Sequence, residues 1–438
     1  MADPVASAQR LWAPRAWVQG RWHDSVLLEV AADGTWQRVA PGTPRAAGMH
    51  ALPGPVLPGL VNAHGHAFQR AFAGLAERRD GAHDDFWSWR DRMYGVALTI
   101  TPERLRAVAA QLYGELLRGG YTQVCEFHYL HHAPDGARYA DPLAMSRALV
   151  QAARDAGIGL TLLPVLYERA GFDAAGLRDD QRRFATTVDD VLALRDGVRA
   201  LAVPNVGAGV AIHSLRAAKA ASIAALAERL AGDAAPVHIH VAEQTAEVDD
   251  CIAATGLRPI EWLTRHVRLD SRWQLVHATH ATPAEIDAVA SSGAGVVLCP
   301  STEANLGDGV PDLPRWLEGA TSLAIGSDSH VTRDWREELR LLEYSQRLVL
   351  RRRNVAAAPE AGEPSTAARL FERMLAGGAT AAGLGVAGLR TGARADLLVI
   401  DSDDPAFAGV DEAQLLDALV FSSPVRPFAR VMVGGRWA

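Results

Sequence analysis

Two histidines one residue apart, His64 and His66, follow a short apolar run (Val56, Leu57, Leu60, Val61) and open into the stretch PGLVNAHGHAFQRAF, Pro58–Phe72. In a strand, residues i and i+2 share a face. Both imidazoles therefore point the same way, beyond the strand's end, which is a simple way to hold a metal from one backbone segment. Similar residues end several later apolar runs. IHSLR carries His213, PVHIHVAEQ carries His238, His240 and Glu243, LVHATH carries His277, and SLAIGSDSH delivers Asp328. Taken singly, each has a plain reading, since a strand-end histidine can cap or pack and Asp328 can cap the helix after it. Taken together, imidazoles and carboxylates at five strand ends are the groups of divalent-metal and acid–base chemistry.

An alternation of strands and helices must position them. Thr101-Pro102-Glu103 opens a helix with an N-cap, a proline at the first helical position and an acid in the first turn. Its apolar face follows at Leu105, Val108, Leu112 and Leu116, and Gly119-Gly120 ends it. Thr122–Phe127 reads as a strand, Ala144–Ala156 as a helix and Gly159–Leu166 as a strand. Val206–Ile212, Val237–Val241, Gln274–Val276, Ala294–Leu298 and Leu323–Gly326 continue the series. With the strand before His64 these make eight βα units, near the about 250-residue norm, with insertions, of a (β/α)8 barrel of the α/β class. In such a barrel the chemistry sits where strands end.

Both chain ends read differently, as short strands. Ala16–Gln19, Ser25–Val30 and Trp36–Val39 lie at one end, with Asp33-Gly34 as a hairpin signal. Ala395–Ile400, Ala418–Phe421 and Phe428–Val433 lie at the other. They predict one discontinuous β-domain from residues 1–55 and 386–438, flanking a barrel at 56–385. The alanine-, proline- and glutamate-rich Ala356–Pro364 is the stretch expected to be most mobile.

Composition excludes several classes. The chain of 438 residues is 49% hydrophobic and 22% charged, the balance of a soluble enzyme. A net charge of −7 without a basic stripe argues against nucleic acid as a partner. No apolar run nears the ~18 residues needed to span a bilayer, and no signal pattern opens the chain. Cys125, Cys251 and Cys299 are widely spaced and read as reduced thiols. A soluble, cytoplasmic protein is expected.

The motifs PGLVNAHGHAF, HVAEQ, LVHATH and IGSDSH resemble the metal-binding motifs of the amidohydrolase superfamily, in its cytosine- and adenosine-deaminase-like branch. FWSWRDRMY, EFHYLHH, HSLRA and STEANLGDG are similar, within it, to the formimidoylglutamate deiminase family of histidine degradation. The resemblance runs from about Leu57 to Asp404. It implies a TIM-like barrel with an appended β-sandwich, and metal ligands at His64, His66, His240 and Asp328. Three nitrogens and a carboxylate leave a position for water, the layout of a catalytic zinc site. Binuclear members of the superfamily bridge two metals with a carboxylated lysine. Here the sole lysine, Lys219, follows HSLRA in an apparent helix, so one divalent metal, Zn2+ before iron, nickel or manganese, is expected.

The implied reaction is hydrolytic deimination of N-formimidoyl-L-glutamate to N-formyl-L-glutamate and ammonia. Zinc would bring the pKa of a bound water to about 7. Asp328 and His277 would take or orient its proton, and Glu243 would protonate the imino nitrogen and then the leaving amine. Glu243 can instead buttress a metal ligand. The substrate, a small dicarboxylate amidine, would be gripped by Arg90, Arg216, Gln69, Tyr129 and His213, with arginine as the natural bidentate partner of carboxylate. Arg90 can alternatively pair with Asp91 or meet another subunit, and Phe86, Trp87 and Trp89 read as a packed lid or dimer surface. A homodimer is implied by the family alone. Two rival readings stay open: a deaminase of a purine, pyrimidine or triazine ring, and a metal-free binding protein on the same barrel. Cytidine-deaminase-type zinc chemistry is excluded, since no P-C-x-x-C is present.

Overall fold

The computed structural model of the chain describes residues 9–79 and 84–438. Eight parallel strands form its centre: Leu60–Gly65, Tyr121–His128, Gly159–Leu166, a fourth split into Val206–Ala208 and Val210–Ile212, then Val237–Val241, Trp273–His277, Gly295–Leu298 and Ser322–Ile325. Tyr121–His128 and Gly159–Leu166 are buried along their whole length. Parallel strands covered on both faces are buried in this way, and Gly159–Leu166 reads as the near-continuous apolar run expected of one.

The barrel all but closes between its first and last strands, where Gly65 bridges to Asp328. The Asp328 N–H donates to His64 O at 3.0 Å, and the His66 N–H donates to Asp328 O at 3.2 Å. Gly326 permits this seam, because a Cβ there would lie 2.8 Å from His64 N. Gly209 explains the split fourth strand, which the sequence reads as one run over Val206–Ile212. A Cβ at Gly209 would fall 2.3 Å from Pro236 O, and its N–H turns aside to Leu162 O at 3.0 Å.

Helices cover the outside. In Pro102–Arg118 the Thr101 hydroxyl accepts from Arg104 N–H, and Leu105, Leu112 and Leu116 face the core, as their spacing requires. The connection after the first strand is long. It carries a 3-10 turn, Ala67–Phe72, and a helix, Phe86–Ala97, whose N-terminus is capped by Asp85.

Both chain ends build one eight-stranded mixed sheet. Gln9–Val18 pairs antiparallel with Arg21–Val30, and that strand with Trp36–Ala40. Val56–Leu57 joins Gln9–Val18 to Leu397–Ile400, after which come Phe428–Val433 and Arg436–Trp437. The sheet curls on itself, since the Trp36 N–H reaches Ala393 O and the Ala395 N–H reaches Gly34 O, both at 2.8 Å. It encloses its own core, including Leu11, Val26, Leu28, Trp36, Leu397 and Met432.

One expectation fails. Ala418–Phe421 is not a strand but the end of a helix, Leu415–Phe421. Its Asp417 accepts from Ser365 Oγ at 2.7 Å and Ala367 N–H at 3.1 Å, which fixes it to the start of the helix Thr366–Ala382. A four-residue apolar run carries no period that separates the two states. Ala356–Pro364 is mostly exposed, with Glu343 accepting from the Ala356 N–H at its start and Ala358 paired with Glu363 within it.

Candidate active site

The parallel register gathers the strand ends into one ring. His64 and His66 come from the first strand, His240 from the fifth, His277 from the sixth, and Asp328 from just beyond the eighth. His64 Nε2 lies 2.9 Å from His240 Nε2 and 3.4 Å from Asp328 Oδ1, and His66 Nε2 lies 3.2 Å from the same oxygen. All four residues are buried.

The outer ring nitrogens decide what this cluster can hold. His66 Nδ1 meets the Phe127 carbonyl and His240 Nδ1 the His213 carbonyl, each at 2.9 Å. A carbonyl only accepts, so both Nδ1 atoms carry the proton and both Nε2 lone pairs turn inward. Burial brings the His64 imidazole down to about 3. His240 is also held well below its usual value, by burial and then by His64 and His213. Burial would raise the Asp328 carboxyl, but the adjoining His64 and His66 outweigh it and keep the group well below the carboxylate range. Neutral imidazoles and an ionised carboxylate are the protonation states that a divalent cation needs. The donors fit such a metal, zinc foremost.

Local backbone and neighbours aim these groups. Ala242, His277, Ala278, Asp328 and His330 all adopt left-handed φ values between 45° and 71°. Non-glycine residues in that region mark over-determined, often functional, segments. Asn62 grips Ser327, accepting its N–H and donating to its Oγ, both at 2.8 Å, and Ser327 Oγ contacts His330 Nδ1 at 2.8 Å. Below the HxH turn, Glu126 accepts from Ala67 N–H at 2.8 Å and Tyr113 OH at 3.0 Å, while burial pushes its carboxyl up to about 7. Asn62, Ser327, His330 and Glu126 carry no spacing signal. Asn62 and Glu126 were marked only as polar residues within apolar strands, and Ser327 and His330 only by flanking Asp328 in IGSDSH.

Beside the cluster stands a second group. Glu243 Oε1 lies 3.7 Å from His277 Nε2, which is 3.8 Å from Asp328 Oδ2. On the far side of the ring, His277 Nδ1 faces Glu303 Oε1 at 3.4 Å, and that oxygen also accepts the Cys299 N–H. Burial would depress His277, yet the Glu243 charge and the Cys299 and Glu303 contacts hold it well above its usual value. Burial above all raises the Glu243 carboxyl. A proton can reside on either group, which suits a pair that passes one.

One cavity connects this chemistry to two arginines. It is lined by His66, His240, Glu243, His277 and Asp328 together with Gln69, Tyr129, His213, Arg90 and Arg216, and His64 packs against His66 and His240. Gln69 Nε2 donates to Tyr129 OH at 3.1 Å, and His213 packs against Tyr167 with ring centres 4.4 Å apart. Burial, then Arg216, hold His213 neutral. Arg216 is 9% exposed, and no carboxylate lies within ion-pair distance of it among the described residues. The Asp91 alternative for Arg90 is present, though at 3.5 Å to a carboxylate whose side chain is 57% exposed.

All eleven predicted residues thus meet in one place. His238 does not join them: it shares the strand face of His240 but sits two residues earlier along the strand, where its Nε2 meets Ala381 O at 2.8 Å. Lys219 is exposed and precedes the helix Ala220–Arg229, remote in role from any metal bridge. Tyr94, Tyr167 and Gln181 were missed. Their hydroxyl and amide groups lie 3.0–3.2 Å apart, with both tyrosines lining the cavity, a grouping that only the fold creates.

Relatives carry this architecture. The formimidoylglutamate deiminase of Pseudomonas aeruginosa is 47% identical over 429 residues, covering 98% of this chain and 94% of its own. A crystal structure of an amidohydrolase from Brucella melitensis superposes with a TM-score of 0.92 at 41% identity, over 98% of this chain and 94% of that one. An adenosine deaminase from Xanthomonas campestris with bound zinc shares the fold at a TM-score of 0.80 and 22% identity, over 99% and 93% of the two chains. Residues 56–438 match the amidohydrolase family model, and the chain belongs to that family.

Proposed function

We propose that this enzyme hydrolyses N-formimidoyl-L-glutamate to N-formyl-L-glutamate and ammonia. The observation that carries the reading is Arg216, a buried guanidinium with no carboxylate at ion-pair distance among the described residues and only the more distant charges of Glu247 and Glu243 acting on it, which lines with Arg90 the same cavity as the histidines. Unpaired buried cations are expensive. A ligand with two carboxylates supplies what they lack, and bidentate geometry makes arginine the fitting grip. The Pseudomonas aeruginosa relative bears the name of that activity.

In this reading His64, His66, His240 and Asp328 hold the metal, which when bound supplies Lewis acidity and makes water nucleophilic near neutral pH. Arg90 and Arg216 hold the two carboxylates, and Gln69, Tyr129 and His213 line the chain between. Asp328 and His277 orient the attacking water. Glu243 receives its proton and passes it to the imino nitrogen as the carbon–oxygen bond forms. The tetrahedral carbon then carries a hydroxyl and two amines. Glu243 takes part again as the hydroxyl proton moves to the departing nitrogen, the carbon–nitrogen bond breaks, and ammonia leaves a formamide. The same reading proposes a cytoplasmic homodimer. No helix among the described residues is long and apolar enough to cross a membrane.

An ammonia-release assay across formimino-amino acids, guanidino acids and nucleobases tests it. N-formimidoylglutamate should be turned over fastest. A nucleobase deaminated faster than every formimino-amino acid would move the protein to the ring-deaminase reading.

A further inference from the structure

We infer that Trp87 is a positioning residue that holds Arg90 and Arg216 as a pair of uncommitted cations for a dicarboxylate. The inference rests on the substrate class proposed above. Two guanidinium groups that line one small cavity repel each other, and low dielectric strengthens that repulsion. Something must hold them without neutralising them. The acids at hand do not do so: Asp91 sits at 3.5 Å from Arg90, is largely exposed and is shared with Arg178 at 3.3 Å, and Glu247 and Glu243 act on Arg216 only from beyond ion-pair distance.

Aromatic faces fill the role. Arg90 Cζ lies 4.6 Å from the Trp87 ring centre, and Arg216 Cζ lies 5.6 Å from the same ring. Tyr94 adds a second face to Arg90 at 5.5 Å and Phe86 one to Arg216 at 5.8 Å. Trp87 is the ring that both cations share. Indole has the strongest negative face of the aromatic side chains. Arg90 Nε and Arg216 Nε are both buried with no hydrogen-bond partner, so each guanidinium keeps donor capacity in reserve. A carboxylate in place of Trp87 would fix the arginines more strongly but would compete with the substrate for the same donors. A π face attracts the charge and accepts none of the N–H bonds that a bidentate carboxylate needs.

The platform is itself held in place. Trp87 occupies the first turn of the helix Phe86–Ala97, and its N–H donates to Asp85 Oδ1 at 3.0 Å. Further along that helix, Tyr94 OH accepts from Gln181 Nε2 at 3.2 Å, which fixes the same face against the barrel. Trp87 lies outside the cavity lining, so it acts through the arginines and not on the substrate.

Calorimetric binding of glutarate and of butyrate to the metal-loaded protein is the test, on wild type, Trp87→Met and Trp87→Phe. Met keeps apolar bulk and loses the π face, whereas Phe keeps a face. Wild type should prefer glutarate by at least about tenfold, the scale of one charge-assisted contact. Trp87→Met should lose about tenfold or more for glutarate, stay within about threefold for butyrate, and raise KM with little change in kcat. Trp87→Phe should recover most of the glutarate affinity. Equal losses in Met and Phe, or no loss in Met, or no glutarate preference in wild type, would each overturn the inference. If Met does not fold, Trp87→Gln replaces it with the same expectations. Absence of formimidoylglutamate turnover in wild type, with the glutarate pattern intact, would instead sink the proposed reaction and leave the platform standing.

Discussion

His64 Nε2 and His240 Nε2 approach to 2.9 Å across the barrel mouth, from residues 176 positions apart. His240 cannot donate there, because its proton is on Nδ1 facing the His213 carbonyl. The inward lone pairs of His240 and His66, with Asp328 beside them, make a site that favours a cation over none. Elemental analysis should therefore find one metal per chain, and His240→Ala should abolish tight binding. Chelation should lower the melting temperature and added zinc should restore it, as linkage requires of a ligand bound only by the folded state. Two tightly bound metals per active chain would refute the single centre.

Glu243 and His277 should separate catalysis from metal binding. Neither is among the four proposed ligands, and they face each other at 3.7 Å. Glu243→Gln keeps the shape and removes the proton carrier, so it should retain metal and lose ~10²–10⁴-fold in kcat. His277→Asn should also retain metal. A metal-replete Glu243→Gln enzyme with near-normal turnover would return Glu243 to a purely supporting role.

The meeting of these residues was legible because strand ends in a parallel barrel converge whatever the intervening sequence. The motif residues only had to be placed at those ends. The helix face of Leu105, Leu112 and Leu116 was legible for a similar reason, being periodic over several turns. Ala418–Phe421 was not, since its state depends on Asp417 capping a helix some fifty residues earlier. Nor was the break at Gly209, which depends on the approach of Pro236. Asn62 holding Ser327, and Trp87 under two arginines, are relations between distant segments that leave no spacing in the chain.

Asp308 gives a pH-dependent expectation. It is buried near Glu243, with Gln244 as a hydrogen-bond donor to one oxygen and no partner for the other. Burial, then the Glu243 charge, push its carboxyl up to about 9. It is therefore neutral at pH 7, and Asp308→Asn should leave kcat/KM within about threefold there. The sign follows from linkage. A carboxyl raised in the fold keeps a proton that the unfolded chain releases near pH 4, so its contribution to stability falls as pH rises from about 4 to 9. The Asn variant should lack that decline, and should also lose any alkaline fall in rate caused by a new charge beside Glu243. Pulse-labelled or calorimetric stability profiles of the two proteins at pH 5 and pH 9 decide it. Parallel profiles would contradict the assignment.

Arg216 carries the substrate class. It follows the fourth barrel strand on a rigid segment, whereas Arg90 comes from the helix Phe86–Ala97 in the long connection after the first strand. A charge-assisted bond to one carboxylate contributes roughly 1.5–3 kcal/mol, and removing the arginine also leaves the ligand's charge unpaired. Each ~1.4 kcal/mol is a factor of ten in affinity. Arg216→Met should therefore raise KM for N-formimidoylglutamate at least about tenfold with metal content unchanged. Formimino-aspartate, one methylene shorter, should be a poor substrate of the wild type, because a carboxylate held at the arginines draws its formimino carbon away from the histidines. Normal handling of formimino-glutamate by Arg216→Met would detach the arginine from substrate binding. The barrel and its metal would stand, and the cavity would then have to be read as a site for an uncharged ring.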